Sequence, residues 1–187
     1  MRTQLIQELK EYKPYNEQEQ RDQKIILKML EKEDIFTRDN QIAHITSSAW
    51  VTNKTRDKVL MAYHNIYDSW AWLGGHNDGI ENCLEVAMKE VSEESGVVAK
   101  PISEQIFSIE ILTVDGHVKK GKYVSSHLHL NITYLLEADE SAILTKKEDE
   151  NSAVAWFGLE EAIEKSSEKW FRENVYSKLN EKLKEAC

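Results

Sequence analysis

Residues 75–97 read Gly-His-Asn-Asp-Gly-Ile-Glu-Asn-Cys-Leu-Glu-Val-Ala-Met-Lys-Glu-Val-Ser-Glu-Glu-Ser-Gly-Val, a glycine-containing loop followed by a predicted helix over 82–95. Because a helix turns about 100° per residue, Glu90, Glu93 and Glu94 fall within an arc of roughly 100° on one side of it. An apolar arc lies beside them, made of Leu84, Ala87, Met88 and Val91. We therefore expect the helix to pack on a sheet while it presents three carboxylates beside the packed face.

Carboxylates crowded in this way suit a bound divalent cation. Like charges four residues apart destabilise a helix by about 0.2–0.5 kcal/mol, and a hard cation among them offsets that cost. Mg²⁺ fits this role because it takes one or two carboxylates, keeps waters and bridges to substrate phosphates. The glycines agree with this interpretation, since Gly74 and Gly75 let the backbone approach a ligand and Gly96 stands where a helix end favours a left-handed residue.

The same stretch resembles the Nudix box, Gly-x5-Glu-x7-Arg-Glu-U-x-Glu-Glu-x-Gly-U, in which U is an aliphatic residue. The matching positions are Gly75, Glu81, Glu90, Val91, Glu93, Glu94, Gly96 and Val97. The departure is Lys89, where the family has arginine. The resemblance implies an α/β fold, a Nudix-like α/β/α sandwich with a mixed, curved sheet, here with extra N-terminal helices. It also implies a pyrophosphohydrolase that uses Mg²⁺ or Mn²⁺ to cleave a nucleoside diphosphate linked to another moiety, or a related organic diphosphate.

The resemblance assigns roles to box residues by position. It implies a metal-binding set made of Glu90, Glu94, Glu93, Glu81 and the carbonyl of Gly75. In this set Glu81 acts on the loop, or on a further metal through water. The resemblance also implies a catalytic set made of Glu93, Glu90 and Lys89. Lys89 keeps the charge of the family's arginine, which orients the glutamates, but lacks the planar fork that binds carboxylates in pairs.

The general base that accepts the proton of the attacking water stays open at this level. Within the box the candidate is Glu93. Outside the box the candidate is the acidic run Glu148-Asp149-Glu150, which comes just before a predicted strand at 154–157. The alternative for this run is a solvated turn without a catalytic role.

A predicted strand near 124–136 offers a wall for the substrate pocket. Apolar residues alternate along one of its faces, and polar side chains occupy the other: His127, His129, Asn131 and Thr133. We interpret the polar face as lining the cleft, with simple exposure as the alternative. His-x-His is also a zinc pair, but the sequence offers no third ligand at a fitting spacing. His76 in the box loop and Trp70 upstream of it complete the candidates for substrate binding, and Trp72 also lies close to the box. The alternatives are a bystander role for His76 and packing in the core for the tryptophans.

A basic segment precedes this strand. Lys119-Lys120-Gly121-Lys122 is typical of an exposed loop, which is either simply solvated or attracts phosphate at the mouth of the cleft.

The chain length of 187 residues predicts one globular unit. We expect an N-terminal helical extension over 1–35, packed on the core, and a Nudix hydrolase domain over 36–187. Pro14 splits the extension into two helices, and Asn16 is a candidate cap of the second, with Glu19 three residues on. Alternative roles of the extension are contact with a partner chain or with a second copy in a homodimer.

Charge and composition exclude several classes of partner. The net charge is −9 and no basic cluster stands out, which argues against a nucleic-acid duplex but allows a small-molecule diphosphate or nucleotide. No apolar run approaches the ~20 residues that span a bilayer, and the N-terminus lacks a signal-peptide core, so we expect no membrane association. Cys83 and Cys187 form no disulfide framework, which favours a cytoplasmic location.

Two other functions stay open. One is a Nudix-fold nucleotide-binding or regulatory module without turnover, an alternative that the replacement at Lys89 keeps open. The other is isopentenyl-diphosphate isomerase, which shares the fold and needs a catalytic cysteine on the strand upstream of the box. Residues 47–51 contain no cysteine, and Cys83 lies on the box helix itself.

Overall fold

The computed structural model describes residues 2–32, 34–119 and 121–185, so Lys120 of the basic segment and Cys187 lie outside the described residues. The helices are α1 (Arg2–Glu11), α2 (Glu17–Lys32), α3 (Cys83–Ser95), α4 (Leu159–Lys165), α5 (Lys169–Phe171) and α6 (Ser177–Glu185), with a π-helical turn at Arg172–Tyr176. The strands are β1 (Ala43–Thr52), β2 (Lys58–His64), β3 (Ser69–Ala71), β4 (Leu73–His76), β5 (Lys100–Pro101), β6 (Ser108–Val114), β7 (His117–Lys119), β8 (Lys122–Val124), β9 (His127–Glu137) and β10 (Asn151–Gly158). Among the described residues no helix has the length and apolarity to cross a bilayer.

Within the described part of the chain, eight strands form one mixed sheet. Its main path runs β10-β2-β1-β9-β5, while β3 pairs with β2, β4 with β1, and β6 with β9. The pair β1–β9 is parallel and the other pairs are antiparallel. This register sets His44 of β1 beside His129 of β9, and Thr46 of β1 beside His76 of β4. The strands β7 and β8 form a separate hairpin.

The strands predicted near 42–52 and 58–66 are observed as β1 and β2. The strand predicted near 104–114 starts later, at Ser108, because the Oγ of Ser103 accepts a hydrogen bond from the backbone N–H of Gln105 (3.1 Å) and closes a turn there. The strand predicted near 124–136 starts at His127, because the residues before it pair with β7 instead.

Successive residues of β1 face opposite layers of helices. Ala49 and Val51 pack in the apolar cluster that includes residues of α1, α2 and α3. Trp50 points the other way and stacks on Tyr176 of the π-helical turn, with ring centroids 5.4 Å apart. The chain is therefore the predicted α/β/α sandwich. On the Trp50 face the C-terminal helices cover one end of β1, while His44, at the other end, lines an open cleft.

The box helix α3 is fixed at both ends by its own sequence. Asn82 caps its start, where its side-chain oxygen accepts a hydrogen bond from the backbone N–H of Glu85 (3.2 Å). Gly96 ends it in the left-handed region, with φ 72°, and donates its N–H to the carbonyl of Ser92. The apolar side of the helix, with Ala87 and Val91, is buried in the core. Because the apolar side of α3 is fixed in this way, its acidic side lies against β4.

The two N-terminal helices belong to the same core. Leu5 and Leu9 of α1, with Ile26 and Leu30 of α2, are buried in the cluster that contains the sheet residues. As expected, the Asn16 side chain caps α2 by accepting from the backbone N–H of Glu19 (2.9 Å). The helices α1 and α2 are therefore packed on the sheet.

Candidate active site

One cleft of about 610 Å³ contains most of the residues selected from the sequence. Its walls come from β1, β4, β9 and α3, from the β7–β8 hairpin and from the segment before β10. The sequence-predicted residues on its lining are Gly75, His76, Lys89, Glu90, Glu93, Glu94, His127, His129, Lys119 and Glu150. The fold thus brings the box carboxylates and the polar face of β9 into one space.

Glu94 is buried and is hydrogen-bonded to two strands, β4 and β10. Its Oε2 accepts a hydrogen bond from the backbone N–H of Gly74 (2.9 Å), and its Oε1 accepts one from Nδ2 of Asn151 (3.2 Å). Burial raises the pKa of the Glu94 carboxyl to about 7, although both hydrogen bonds favour the charged form. A cation beside this carboxyl would stabilise its ionised form.

Glu90 lies directly against the glycine loop. A Cβ built on Gly75 would be 2.6 Å from Cδ of Glu90 and 2.9 Å from each of its carboxylate oxygens. Only a residue without a side chain leaves room for Glu90 in this position. Burial raises the pKa of the Glu90 carboxyl, while the neighbouring cations Lys89 and Lys147 oppose that rise.

Glu93 is exposed and is held by two lysines. Nζ of Lys89 is 3.0 Å from Oε1 of Glu93 and 3.7 Å from Oε1 of Glu90, so Lys89 contacts both carboxylates. Nζ of Lys147 is 3.8 Å from Oε2 of Glu93 and 2.7 Å from Oε2 of Glu150. Lys147, which the sequence analysis did not select, therefore connects the box helix to the segment before β10.

The three residues of the acidic run before β10 differ in whether they line the cleft. Glu150 lines the cleft, whereas Glu148 and Asp149 are exposed. Burial raises the pKa of the Glu150 carboxyl and the ion pair with Lys147 lowers it, with a net fall below the usual value. Within this run, Glu150 is thus the residue in a position to act on a substrate.

Glu81 is not brought to the other box carboxylates. It precedes the helix cap Asn82, and its Oε2 accepts a hydrogen bond from the backbone N–H of Arg2 (2.6 Å). Glu81 is not among the cleft-lining residues. Its hydrogen bond to Arg2 ties the box loop to α1.

As interpreted from the alternation, the polar face of β9 lies in the cleft, except that Thr133 is buried and does not line it. His127 and His129 line it, and His76 of β4 joins them through the register described above. A fourth histidine, His44, was not selected from the sequence and is buried beside them. Burial lowers the pKa of His76 to about 3 and that of His129 to about 2, and it lowers the pKa of His44 as well.

Trp70 is not at the cleft. Its ring packs edge-on against Phe157 (4.7 Å between centroids) and Tyr63 (5.5 Å), because β3 turns it toward the apolar cluster that contains Trp50. Trp72, two residues later, does line the cleft and packs edge-on against Phe171 (6.1 Å). Of the two tryptophans near the box, Trp72 therefore lines the cleft and Trp70 does not.

Cys83 is unsuited to act as a catalytic thiol. It is buried at the start of α3, its Sγ accepts a hydrogen bond from Nδ2 of Asn77 (3.4 Å), and burial raises the pKa of the thiol to about 11. The structure thus offers nothing at Cys83 for the isomerase alternative.

The comparison with protein families matches residues 43–179 of this chain to the NUDIX domain. The chain belongs to the NUDIX family. The matched region contains the whole box and cleft, whereas α1 and α2 precede it.

Other relatives agree with the Nudix assignment. The chain is 27% identical to the asymmetrical bis(5′-nucleosyl)-tetraphosphatase of Rattus norvegicus over 115 residues, which are 61% of this chain and 72% of that protein. It is 27% identical to the Mus musculus counterpart over 113 residues, 60% of this chain and 71% of that one. These matches confirm the predicted enzyme class, a Nudix-type pyrophosphohydrolase.

Solved structures confirm the Nudix fold. A NUDIX-family hydrolase from Clostridium perfringens superposes with a TM-score of 0.53 at 22% identity, covering 77% of this chain and 98% of that chain. A C. elegans Ap4A hydrolase binary complex gives a TM-score of 0.51 at 18% identity, covering 76% and 96%. At these identities the likeness concerns the fold alone.

Proposed function

We propose that this Nudix protein hydrolyses a nucleoside diphosphate derivative, or a related organic diphosphate, with Mg²⁺ or Mn²⁺ as cofactor. The observation that carries the proposal is that Glu90 and Glu94 lie against the Gly74–Gly75 loop, inside one cleft that Glu93 also lines. The same cleft contains lysines that can attract a phosphate chain, Lys89 and Lys147.

The donor set fits a hard divalent cation. Glu90 and Glu94 are both buried carboxyls. Burial raises the pKa of Glu94, and the negative charges of Glu90 and Glu150 add to that rise. Oxygen donors of this kind select Mg²⁺ or Mn²⁺ over softer ions. We assign Glu90, Glu93, Glu94 and the carbonyl of Gly75 as the residues that would hold it. When bound, such a cation neutralises phosphate charge and makes a coordinated water more acidic.

The residues of the chain then have separate tasks. Glu94 fixes the loop to the helix through Gly74, and it reaches β10 through Asn151. Lys89 sets the position of Glu93 and, more weakly, of Glu90. These contacts preorganise the carboxylates before substrate arrives, which lowers the reorganisation needed in the transition state.

Two carboxylates are placed to accept the proton of the attacking water. Glu93 is exposed to the cleft and Glu150 faces it from the segment before β10, and both contact Lys147. We assign the role of general base to Glu93 and keep Glu150 as the alternative. Because a base is required in its charged form, Glu93→Gln and Glu150→Gln should differ in whether they remove the acidic limb of the pH–rate profile.

The cleft suits a substrate with both a base and a phosphate chain. Trp72, Phe171 and Tyr67 contribute aromatic rings to its lining, and Lys119 of the β7–β8 hairpin contributes a positive charge. Among the substrate-binding candidates we retain His76, His127 and His129. Because two relatives are named bis(5′-nucleosyl)-tetraphosphatases, we propose to test a dinucleoside tetraphosphate first.

A panel of diphosphates tests this proposal. Diadenosine tetraphosphate, ADP-ribose, NADH, a nucleotide sugar and a modified nucleoside triphosphate are each incubated with Mg²⁺ or Mn²⁺, and the phosphate products are identified by ³¹P NMR. We expect metal-dependent cleavage of at least one compound, with turnover lost by several orders of magnitude in Glu90→Gln. Glu85→Gln, an exposed glutamate on the same helix, is the matched control and should keep full turnover.

Two outcomes would contradict the proposal. Near-normal turnover of Glu90→Gln would remove the metal assignment. Tight nucleotide binding without turnover of any compound would identify the binding module instead.

A further inference from the structure

Four of the chain's six histidines converge in the cleft: His44, His76, His127 and His129. One ring nitrogen from each can be chosen so that all four atoms lie within 4.8 Å of one another. The box carboxylates account for the family's hard cation without using any of these nitrogens. Substrate binding was proposed above for three of these histidines, but the convergence of all four in this four-histidine cluster is also the arrangement of a metal site.

The fold builds the cluster from three neighbouring strands. The register sets His44 of β1 beside His129 of β9, and His127 follows on the same face of β9. His76 comes from β4, which also pairs with β1. The ring centroid of His44 is 5.1 Å from that of His76, 4.9 Å from that of His127 and 5.1 Å from that of His129. The centroid of His129 is similarly close to those of His76 (4.8 Å) and His127 (5.0 Å), so these two rings contact all members of the group.

Backbone carbonyls orient two of the rings as ligands. Nδ1 of His44 lies 3.1 Å from the carbonyl oxygen of Asn40, and Nδ1 of His127 lies 2.8 Å from that of Ser125. A carbonyl oxygen can only accept a hydrogen bond, so Nδ1 is the donor in each of these two rings. When such a ring is neutral, its Nε2 carries no proton and keeps its lone pair. Metal-bound histidines are oriented by just such a hydrogen bond from the other ring nitrogen.

The nitrogens that remain face the centre of the cluster. Within the described ranges, Nε2 of His44 is buried and has no hydrogen-bond partner. Nε2 of His127 is 3.2 Å from Nε2 of His129. Two nitrogens bound to one tetrahedral zinc at 2.0–2.1 Å would be about 3.3 Å apart, so this pair already has the required spacing.

We propose that the four-histidine cluster binds a borderline divalent transition ion, with Zn²⁺ as the reference, at a site separate from the carboxylate site for Mg²⁺ or Mn²⁺. Imidazole nitrogens favour zinc and related ions, whereas carboxylate oxygens favour magnesium, so the two sites in the cleft differ in chemical class. The inference concerns binding alone and stands whether or not the proposed hydrolysis is found.

Metal binding by the full chain tests this inference. Chelator-treated protein is titrated with Zn²⁺ in excess Mg²⁺, and bound zinc is measured by elemental analysis after gel filtration. We expect one Zn²⁺ per chain, with affinity at least about 100-fold weaker in His129→Gln, beyond the loss typical of a residue that only orients a ligand. The matched control is His64→Gln, since His64 lines the same cleft but is not in the cluster; its zinc affinity should equal that of the wild type.

Three further measurements keep the test decisive. His127→Gln replaces a partly exposed member and serves if His129→Gln does not fold, as judged by circular dichroism. Co²⁺ bound to the wild-type chain should show the intense visible bands of a tetrahedral nitrogen site. Zinc that is lost in Glu90→Gln but retained in the histidine variants would overturn the inference, as would the absence of zinc binding by the wild type.

Discussion

At the scale of single residues, the geometry of the candidate active site depends on what stands next to each carboxylate. Gly75 is the clearest case, because its missing side chain is the space that Glu90 occupies. Lys89 is the second, because one ammonium group contacts Glu93 closely and Glu90 at longer range. Neither residue need touch the substrate to matter. Each acts by fixing where a carboxylate sits.

The substitution Gly75→Ala should displace Glu90 without unfolding the chain. The added Cβ would lie 2.6 Å from Cδ of Glu90, which is the mobile end of a side chain and can move away. Misplacement of a catalytic group by about 1 Å can cost roughly 100-fold in rate, and we expect a loss of that order in kcat.

The control for this change is Gly158→Ala, because a Cβ at Gly158 meets nothing within 4 Å. Its steady-state kinetics should match those of the wild type. Equal activity of Gly75→Ala and the wild type would show that Glu90 is not held by the glycine loop as described.

The substitution Lys89→Arg should leave turnover unchanged or raise it. An arginine fork can donate to two carboxylates in parallel, whereas the single Nζ of Lys89 is 3.0 Å from Glu93 and 3.7 Å from Glu90. The measurement is kcat with the best substrate of the panel. Lys58→Arg, which alters the surface pair with Glu140, is the matched control. A large loss in Lys89→Arg alone would mean that this site is organised differently from the family's.

At the scale of elements, the N-terminal helix α2 and the C-terminal helix α6 are joined by a buried ion cluster. Glu19 of α2 is fully buried, and its Oε1 lies 3.1 Å from Nζ of Lys178 and 2.9 Å from Nζ of Lys182. Lys178 also contacts Glu110 of β6 (2.9 Å). Removing one member of such a group leaves a buried charge without compensation.

The substitution Glu19→Gln should therefore lower the free energy of unfolding by about 3–5 kcal/mol, the usual cost of breaking a buried ion pair. Glu17→Gln on the same helix is the control, because Glu17 forms an exposed pair with Arg21 (2.7 Å) that contributes about 0.3–0.5 kcal/mol at most. Urea unfolding monitored by circular dichroism measures both. Similar values for the two variants would show that α2 is not anchored through Glu19.

At the scale of the whole molecule, the same cluster makes stability depend on pH. Burial alone would raise the pKa of the Glu19 carboxyl, but Lys178, Lys182 and the hydrogen bonds from Tyr12 and Tyr15 outweigh it and lower the pKa to about 2. An unfolded glutamate has a pKa of about 4.3. The folded chain therefore binds fewer protons than the unfolded chain between these values, and acid favours unfolding.

The contribution of Glu19 should be fully present above about pH 5 and lost as the pH falls toward 2. The difference in unfolding free energy between the wild type and Glu19→Gln should shrink steadily across this interval. Urea unfolding at a series of pH values measures it, with Glu17→Gln as the parallel control. A difference that is independent of pH would contradict the charged state assigned to Glu19.

The sequence by itself determined the box helix, the carboxylate triad, the polar face of β9 and the enzyme class. These features are local, because helix and strand periods fix which neighbouring residues share a face. It did not determine that Glu81 turns away to Arg2, that Trp72 replaces Trp70 at the cleft, or that Glu150 alone of its acidic run lines it.

Only the tertiary structure decided the four-histidine cluster. The sequence offered His127 and His129 without a third ligand, and the missing ones, His44 and His76, come from strands far apart along the chain. Their meeting depends on the register of β4 and β9 against β1, and a shift of one residue would turn each strand's side chains to the opposite face. Register is set by the packing of the whole sheet, so no local pattern could reveal it.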